Sequence, residues 1–189
     1  MRKLIATEYV TLDGTMEDPG GAEKGPSGGW SGPFFNQEAG KFKFDELFAA
    51  DALLLGRVTY QGFAQAWPSF KDEMGFADRM NGLPKYVVST TLQKAEWNNS
   101  TIIRDHVAEA VNKLKQEPGQ DILLAGSASL LGWLMERDLV DEYRLLLHPV
   151  IVGGGKRLFP DGVRQSLKLV ESRALDTGMV ILRYEPDRK

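Results

Sequence analysis

Short apolar segments of this chain alternate with longer segments whose apolar residues have helical spacing. The clearest strand candidates are 52–55, 85–89 and 121–125, and the clearest helix candidates are 37–50 and 57–66. Strands that are separated by helices usually pair in parallel, and the helices then cover both faces of the sheet. The alternation therefore predicts an α/β fold with a mostly parallel central sheet.

The remaining predicted elements complete this sheet. They are strands at 3–10, 101–104, 141–148, 166–173 and 179–184, a helix from the capping residue Asp105 to Lys115, and a helix that Gly126 opens. The last two strands are joined by a turn around residues 176–178, so they predict an antiparallel hairpin at one edge. At 189 residues, the chain is expected to form a single domain, 1–189.

The small numbers of cysteine and histidine residues exclude several classes of function. The chain has no cysteine and only two histidines, His106 and His148. Disulfide scaffolds, thiol nucleophiles and cysteine-based zinc sites are thereby excluded, and two histidines far apart in the sequence argue against any metal centre. His148 lies among apolar residues, which favours a structural histidine over a catalytic base.

Charge and hydropathy limit the expected partners. A net charge of −3 argues against general nucleic-acid binding, and no run of apolar residues exceeds four, so no membrane span is expected. The apolar stretch after Arg2 and Lys3 ends at Thr7 and Glu8, which is too short for a secretory signal. We therefore expect a cytoplasmic protein.

A glycine-rich segment follows the first strand. Residues 14–32 contain seven glycines and two prolines, which predicts a long irregular loop. Such loops are usually lids, binding loops or plain surface excursions. The aromatic residues Trp30, Phe34 and Phe35 at its end favour a loop that folds back onto a site, because large aromatic side chains are costly to expose.

Two strand-to-helix junctions have the composition of a phosphate site. Gly56, Arg57 and Thr59 follow one apolar strand, and Gly126 follows another, with hydroxyl groups at 127 and 129. Glycine lets a ligand approach the backbone, and a helix N-terminus favours an anion. Two such starts in one sheet would suit a pyrophosphate, although two ordinary turns have the same composition.

Further junctions carry weaker signals. Ser89 and Thr90 end a strand and would complete an anion pocket if they lie beside Arg57; otherwise they are turn formers. Three consecutive glycines, 153–155, predict an irregular loop with an accessible backbone. Asp13 ends the first strand next to the glycine-rich segment, where it is the best candidate acid; a plain turn residue is the alternative.

Taken together and in this order, these junctions resemble the dihydrofolate reductase superfamily. Specifically, the chain resembles the branch that contains the C-terminal reductase domain of bacterial riboflavin biosynthesis. The matching pieces are TLDGTM, ADALLLGRVTY, KYVVST, LLAGSASLLGWLMERDLVDEYRLLLHPVIVGGGKRLF and the closing hairpin, which together span nearly the whole chain. The resemblance implies a dihydrofolate-reductase-like sheet, an NADPH cofactor and a homodimer.

The resemblance also implies roles for individual residues. The implied cofactor-binding residues are Gly56, Arg57, Thr59, Ser89, Thr90, Gly126, Ser127, Ala128 and Ser129. Sequence position, rather than the resemblance, makes Trp30, Glu38, Gly153 and Gly154 the candidate substrate-binding residues and Asp13 the candidate catalytic residue. Two departures concern the substrate side. The helix position that carries a carboxylate in dihydrofolate reductases falls at Gly40, and the stretch AWPSFKDEMG lacks the arginine of the riboflavin branch.

The sequence thus predicts an NADPH-dependent reductase that acts on a C=N or C=O bond of a pyrimidine- or pterin-like heterocycle, as in the uracil reductase of riboflavin biosynthesis. Two rival functions remain open at this point. One is a nucleotide-binding protein that has lost catalysis. The other is a small hydrolase in which Ser127 or Ser129 works with His148.

Overall fold

The computed structural model describes residues 1–23 and 25–188. Its strands are β1 (Leu4–Thr11), β2 (Ala50–Gly56), β3 (Lys85–Val88), β4 (Ser100–Ile103), β5 (Asp121–Leu124), β6 (Glu142–His148), β7 (Leu167–Ala174) and β8 (Val180–Pro186). Its helices are α1 (Gln37–Phe48), α2 (Arg57–Ala66), α3 (Phe76–Gly82), α4 (Val107–Gln116) and α5 (Ala128–Met135), with a short 3-10 helix at Gly32–Phe34.

The strands form one eight-stranded sheet in the order β4-β3-β2-β5-β1-β6-β8-β7. Every neighbouring pair from β4 to β6 is parallel, and β8 and β7 add the antiparallel hairpin at one edge. This confirms the predicted mixed, mostly parallel sheet. The central strand β1 is mostly apolar and almost completely buried, as expected for a strand that is covered on both faces.

Helices cover both faces of the sheet with separate apolar clusters. Residues of α4 and α5 pack with Leu4, Ala6 and Leu124 on one face. Residues of α1, α2 and α3 pack with Ile5, Leu53 and other side chains on the opposite face. Because successive residues of β1 point to opposite faces, even positions of β1 contact the α4–α5 layer and odd positions contact the α1–α3 layer.

Several predicted boundaries need correction. Helix α4 is preceded by His106, which has a left-handed backbone (φ 47°) and no side-chain cap bond, so the predicted capping role of Asp105 is wrong. Helix α5 begins at Ala128, two residues after Gly126, and α1 ends at Phe48. Helix α3 and the 3-10 turn were not predicted, since both are very short. None of the helices in the described residues is long and apolar enough to span a membrane.

Candidate functional site

The order of strands creates a crevice on both sides of β5. Helix α5, which follows β5, lies on one face of the sheet, whereas α1 and α2, which follow β1 and β2, lie on the other. Neighbouring parallel strands whose connections leave on opposite faces separate at their carboxyl ends, and ligands bind in the resulting crevice. The carboxyl ends of β2, β5 and β1 therefore define the candidate site.

Two predicted glycine turns meet in this crevice. The Gly56 N–H donates to the Gly126 carbonyl oxygen at 3.2 Å, so the start of α2 touches the start of α5. A Cβ atom at Gly56 would lie 2.5 Å from Ser127 Oγ, and one at Gly126 would lie 2.6 Å from Thr59 Oγ1. Gly126 has a φ of +70°, and the Gly126–Ser127 peptide bond is cis. Only glycine fits at either position.

The polar groups around these turns suit an anion. Helix α2 has no side-chain cap at its N-terminus, so the N–H groups of its first turn remain available. Arg57 is exposed, and its guanidinium bonds only Gln61 among the described residues. At the start of α5, Ser127 accepts from the Leu130 N–H, and its hydroxyl lies 3.0 Å from that of Ser129. The helix dipoles of α2 and α5 add positive potential.

Ser89 and Thr90 extend the same edge of the sheet beyond β3. The Ser89 hydroxyl accepts hydrogen bonds from the Thr91 and Leu92 N–H groups, which is the turn-forming alternative. Thr90 is exposed and bonds no described residue through its side chain. A direct contact between these hydroxyls and Arg57 is absent from the described hydrogen bonds, so their place in an anion pocket stays a prediction.

Asp13 anchors one loop to another. Its carboxylate accepts from the Thr11 hydroxyl at 2.5 Å and from the backbone N–H groups of Gly153 and Val152 at 2.7 and 3.3 Å. These donors lower the pKa of Asp13 to about 2, with the Thr11 bond as the largest cause. A carboxylate that is ionised at neutral pH is a poor proton donor. The geometry favours a structural role, in which Asp13 fixes the 153–155 loop through a hydrogen bond from the Gly153 N–H.

The glycine-rich segment folds back onto the end of β6. Thr15 and Met16 bond the 153–157 loop through Gly154 and Lys156, and Trp30 donates to the Glu17 carbonyl oxygen at 3.0 Å. Trp30 is only 7% exposed. The aromatic residue therefore anchors the segment as predicted, although its contact with a substrate stays a prediction. The stretch from Gly20 to Gly29 is largely exposed.

His148 is the residue on which this segment closes. The rings of Tyr9, Trp30 and Phe34 meet it edge-on at 5.0–6.0 Å, and its Nδ1 lies 2.7 Å from the Leu146 carbonyl oxygen. Burial lowers the pKa of His148, and its Nε2 has no partner among the described residues. No described serine bonds it. The hydrolase hypothesis is therefore wrong, whereas the structural role expected of His148 stays a prediction.

The predicted substrate residues do not all gather at one point. Gly153 and Gly154 are exposed and lie against Asp13 and Thr15. Glu38 is directed elsewhere, because its carboxylate lies 3.6 Å from Arg173 of the edge strand β7. The structure thus brings the two glycine turns and Arg57 together at β5, and leaves Glu38 beside the closing hairpin.

A buried polar group that the sequence analysis did not assign lies beneath the glycine turns. Glu8 of β1 is 5% exposed, and its Oε1 accepts the Gly126 N–H at 2.7 Å. Burial raises the pKa of Glu8 to about 8. The only signal in the sequence is an acidic residue in the middle of an otherwise apolar strand, LIATEYV.

Residues 2–181 match the family model of the RibD C-terminal domain. The chain belongs to the RibD C-terminal domain family. The chain is 36% identical to YyaP of Bacillus subtilis (strain 168) over 188 residues, which cover 97% of this chain and 94% of that protein. It is 28% identical to YwjB of the same organism over 158 residues.

Solved structures share the fold of this RibD C-terminal domain protein. A putative riboflavin biosynthesis protein from Shewanella sp. PV-4 has a TM-score of 0.76 at 20% identity, with 98% and 99% of the two chains covered. A dihydrofolate reductase from Enterococcus faecalis, solved with NADP(H), has a TM-score of 0.62 at 14% identity, with 98% and 96% covered. These likenesses confirm the dihydrofolate-reductase-like fold.

A longer protein of known structure contains the same fold as one part of its chain. The Thermotoga maritima diaminohydroxyphosphoribosylaminopyrimidine deaminase/5-amino-6-(5-phosphoribosylamino)uracil reductase has a TM-score of 0.63 at 16% identity. The RibD C-terminal domain chain is covered to 98%, but it spans only 56% of that protein. At this identity the comparison establishes the shared fold alone.

Proposed function

We propose that this protein is an NADPH-dependent reductase of a pyrimidine- or pterin-like heterocycle. The observation that carries the proposal is the contact between the turns at Gly56 and Gly126. A Cβ atom at either position would occupy the space against the opposite turn. The N-termini of α2 and α5 therefore lie side by side. Because Gly56 and Gly126 carry no Cβ atom, a pyrophosphate can approach the backbone of the two turns closely.

Different residues of the crevice would bind different parts of such a cofactor. The first-turn N–H groups of α2, with Thr59, would bind one phosphate, and Ser127 and Ser129 at the start of α5 would border the other. Arg57 is exposed beside this turn and would bind the 2′-phosphate that distinguishes NADPH from NADH, together with the hydroxyls of Ser89 and Thr90. NADPH supplies a hydride when it is bound.

The substrate would lie beyond β1, between α1, the glycine-rich segment and the 153–155 loop. The protein's part there is to orient the heterocycle and to exclude water. Asp13 does not suit the donation of the accompanying proton, because its pKa is about 2. Two proteins of the same fold support the substrate class, since one is a putative riboflavin biosynthesis protein and the other includes a uracil reductase.

Direct binding tests the proposal. Purified protein is titrated with NADPH and NADH, and binding is followed by nicotinamide fluorescence and by the shift of the melting temperature. We expect binding of both, with NADPH preferred. NADPH oxidation is then followed with uracil derivatives, folates and flavin precursors as substrates. Failure to bind either nucleotide would refute the proposed function.

A nucleotide-binding protein without catalysis is the second candidate. It is favoured by Gly40, which stands where dihydrofolate reductases carry a carboxylate, and by the ionised Asp13. The distinction is made by turnover: binding of NADPH without oxidation in the presence of every tested heterocycle would select this candidate over the reductase.

A further inference from the structure

Glu8 occupies an unusual place for a carboxyl group. Its strand is the centre of the sheet, and the β1–β5 ladder ends at the pair Ala6 and Leu124. Glu8 therefore lies two residues beyond the last pair, where β1 and β5 separate. Its side chain is 5% exposed, and Oε1 accepts the N–H of Gly126 at 2.7 Å. The carboxyl group fills the floor of the crevice that the proposed function requires.

The Gly126 turn depends on this contact. The Gly126 N–H donates to the Glu8 carboxyl group, and the Gly126 carbonyl oxygen accepts from the Gly56 N–H at 3.2 Å. One residue thus links β1 to the start of both helices that border the crevice. An acceptor at position 8 keeps the backbone of Gly126 fixed, because a buried N–H without an acceptor is destabilising.

The charge state of Glu8 follows from its surroundings. Burial raises the pKa to about 8, whereas the Gly126 N–H and the Lys43 ammonium lower it and the Glu46 carboxylate raises it. Lys43 and Glu46 are the charged residues of α1 that act on Glu8. Helix α5 contains no charged residue, and Asp121 of β5 lies at the opposite end of its strand. On β6, Arg144 bonds Glu142, and His148 is buried among aromatic rings.

Lys43 does not neutralise Glu8 by direct pairing. Its ammonium contacts Glu46 and donates to the Thr7 hydroxyl at 3.0 Å, and Glu46 also accepts from Thr7. This cluster lies on the α1 face of the sheet, since Thr7 is an odd position of β1. Glu8 is an even position and faces the α4–α5 layer. Among the described residues, its Oε2 has no hydrogen-bond partner.

We propose that Glu8 is a positioning residue of the dinucleotide site, which holds the Gly126 turn and which must be uncharged when an anion binds above that turn. This inference rests on the proposed function. A carboxylate directly below a pyrophosphate repels it through a poorly solvated interior, whereas the protonated group retains the Gly126 bond without the repulsion. Binding of NADPH and ionisation of Glu8 therefore oppose each other.

The opposition predicts a specific pH dependence. If bound NADPH raises the pKa of Glu8 by one further unit, the affinity falls about tenfold between pH 7 and pH 10. Fluorescence titration of NADPH at half-unit pH steps measures this fall. The range above pH 7 avoids titration of the 2′-phosphate, and a parallel series with NADH removes the contribution of that group.

Two variants separate charge from hydrogen bonding. Glu8→Gln keeps an acceptor for the Gly126 N–H, so we expect near-wild-type affinity at pH 7 and no fall up to pH 10. Glu8→Leu removes the acceptor, so we expect weaker binding at every pH, again without the fall. If Glu8→Leu does not fold, the comparison of wild type with Glu8→Gln decides the matter alone.

A second readout does not depend on binding or activity. Carbon-13 NMR of glutamate carboxyl groups, with Glu8→Gln for assignment, should show a resonance that titrates near pH 8 in the free protein. An ordinary titration near pH 4.5 would overturn the inference, as would identical pH profiles for wild type and Glu8→Gln. If wild type binds no NADPH at any pH, the proposed function fails and this inference fails with it.

Discussion

At the scale of single residues, two missing side chains determine the shape of the crevice. Gly56 has an ordinary extended backbone (φ −75°), so its conformation alone does not require glycine. The requirement comes from Ser127, whose Oγ would lie 2.5 Å from an added Cβ atom. Ser127 in turn is the N-cap residue of α5. A methyl group at position 56 therefore displaces the turn at the start of α5 rather than the turn at the start of α2.

Gly56→Ala tests this arrangement. We expect the NADPH affinity to fall by at least about tenfold, because Ser127 and the start of α5 must move. Gly62→Ala is the matched control: Gly62 lies within α2, and an added Cβ would meet nothing within 4 Å. The control should bind NADPH normally and gain about 1 kcal/mol of stability. Equal binding by both variants would contradict the proposed site.

Arg57 is expected to decide the choice of cofactor. A charge-assisted hydrogen bond contributes about 1.5–3 kcal/mol, so Arg57→Ala should weaken NADPH binding by roughly 10- to 100-fold and leave NADH almost unchanged. Arg137→Ala serves as the control, since Arg137 stacks on Trp133 at the opposite end of α5. Equal losses for the two nucleotides would reject a 2′-phosphate contact but would leave a pyrophosphate contact open.

His148 should make stability depend on pH. Burial lowers its pKa from 6.5, so the unfolded chain takes up a proton before the folded chain does. Stability is therefore present above pH 6.5 and is lost as the pH falls below that value, with a slope of at most about 1.4 kcal/mol per pH unit.

Urea unfolding between pH 5 and pH 8 measures this effect. His148→Gln should flatten the slope, whereas His106→Gln should retain it, because the only other histidine lies on the surface. A wild-type slope that survives in His148→Gln would assign the pH dependence to carboxylates instead.

At the scale of elements, the sequence predicts the sheet well because most of its central strands are short apolar segments, such as β2 and β5, that alternate with helical segments. Helix α2, for example, has the predicted bounds Arg57–Ala66. Helix α3 escapes prediction because it has only seven residues and is capped by contacts of Asp72, not by a sequence pattern. The capping error at Asp105 arises because His106 adopts a left-handed backbone that sequence preferences do not anticipate.

The candidate site can be predicted only in part, because some of its contacts join residues that are far apart in the sequence. The glycine turns are local patterns, so Gly56, Thr59, Gly126 and Ser127 can be found from their neighbours along the chain. The bond from Gly126 to Glu8 joins residues 118 positions apart. No local pattern reports such a contact, and an acidic residue in a strand is ordinarily assigned to the solvent side.

The glycine-rich segment is an element with two different parts. Its ends are fixed by Thr15, Met16 and Trp30, whereas most of the described residues between Gly20 and Gly29 are exposed. We predict that residues 14–32 act as a lid, whose exposed part becomes ordered when cofactor and substrate are both present.

Hydrogen exchange followed by mass spectrometry tests the lid. Exchange within 14–32 should slow when NADPH and a substrate analogue are bound together. Trp30→Ala should abolish this protection, because the segment loses its contact with His148. If exchange is equally fast with and without both ligands, the segment is a surface excursion, and the substrate site must be sought around the 153–155 loop.

At the scale of the whole molecule, the sheet ends in an open edge strand. Strand β7 pairs only with β8 among the described strands, and its Leu169 and Val170 are 50% and 46% exposed. Ile151 and Leu12 add further exposed apolar surface. Open edges with apolar side chains tend to pair with another chain, so we predict a homodimer that buries β7.

Light scattering at micromolar concentration measures the assembly. The wild type should have the mass of two chains, and Val170→Lys should be monomeric, because a charge at the edge opposes strand pairing. Met74→Lys is the control, since Met74 is 69% exposed on a different surface and should leave the dimer intact. A wild-type mass of one chain would refute the prediction.

The position of β5 between β2 and β1 also determines when the crevice can come into existence. Strands β1 and β2 are made first, but they are not neighbours, because a strand that begins at residue 121 is inserted between them. Such long-range parallel pairing forms slowly. During synthesis, the first 120 residues already contain Glu8 and Gly56, yet the surface that would hold a dinucleotide is absent until β5 has emerged. If the crevice binds a dinucleotide as proposed, the ligand therefore stabilises only the completed sheet and not the growing chain.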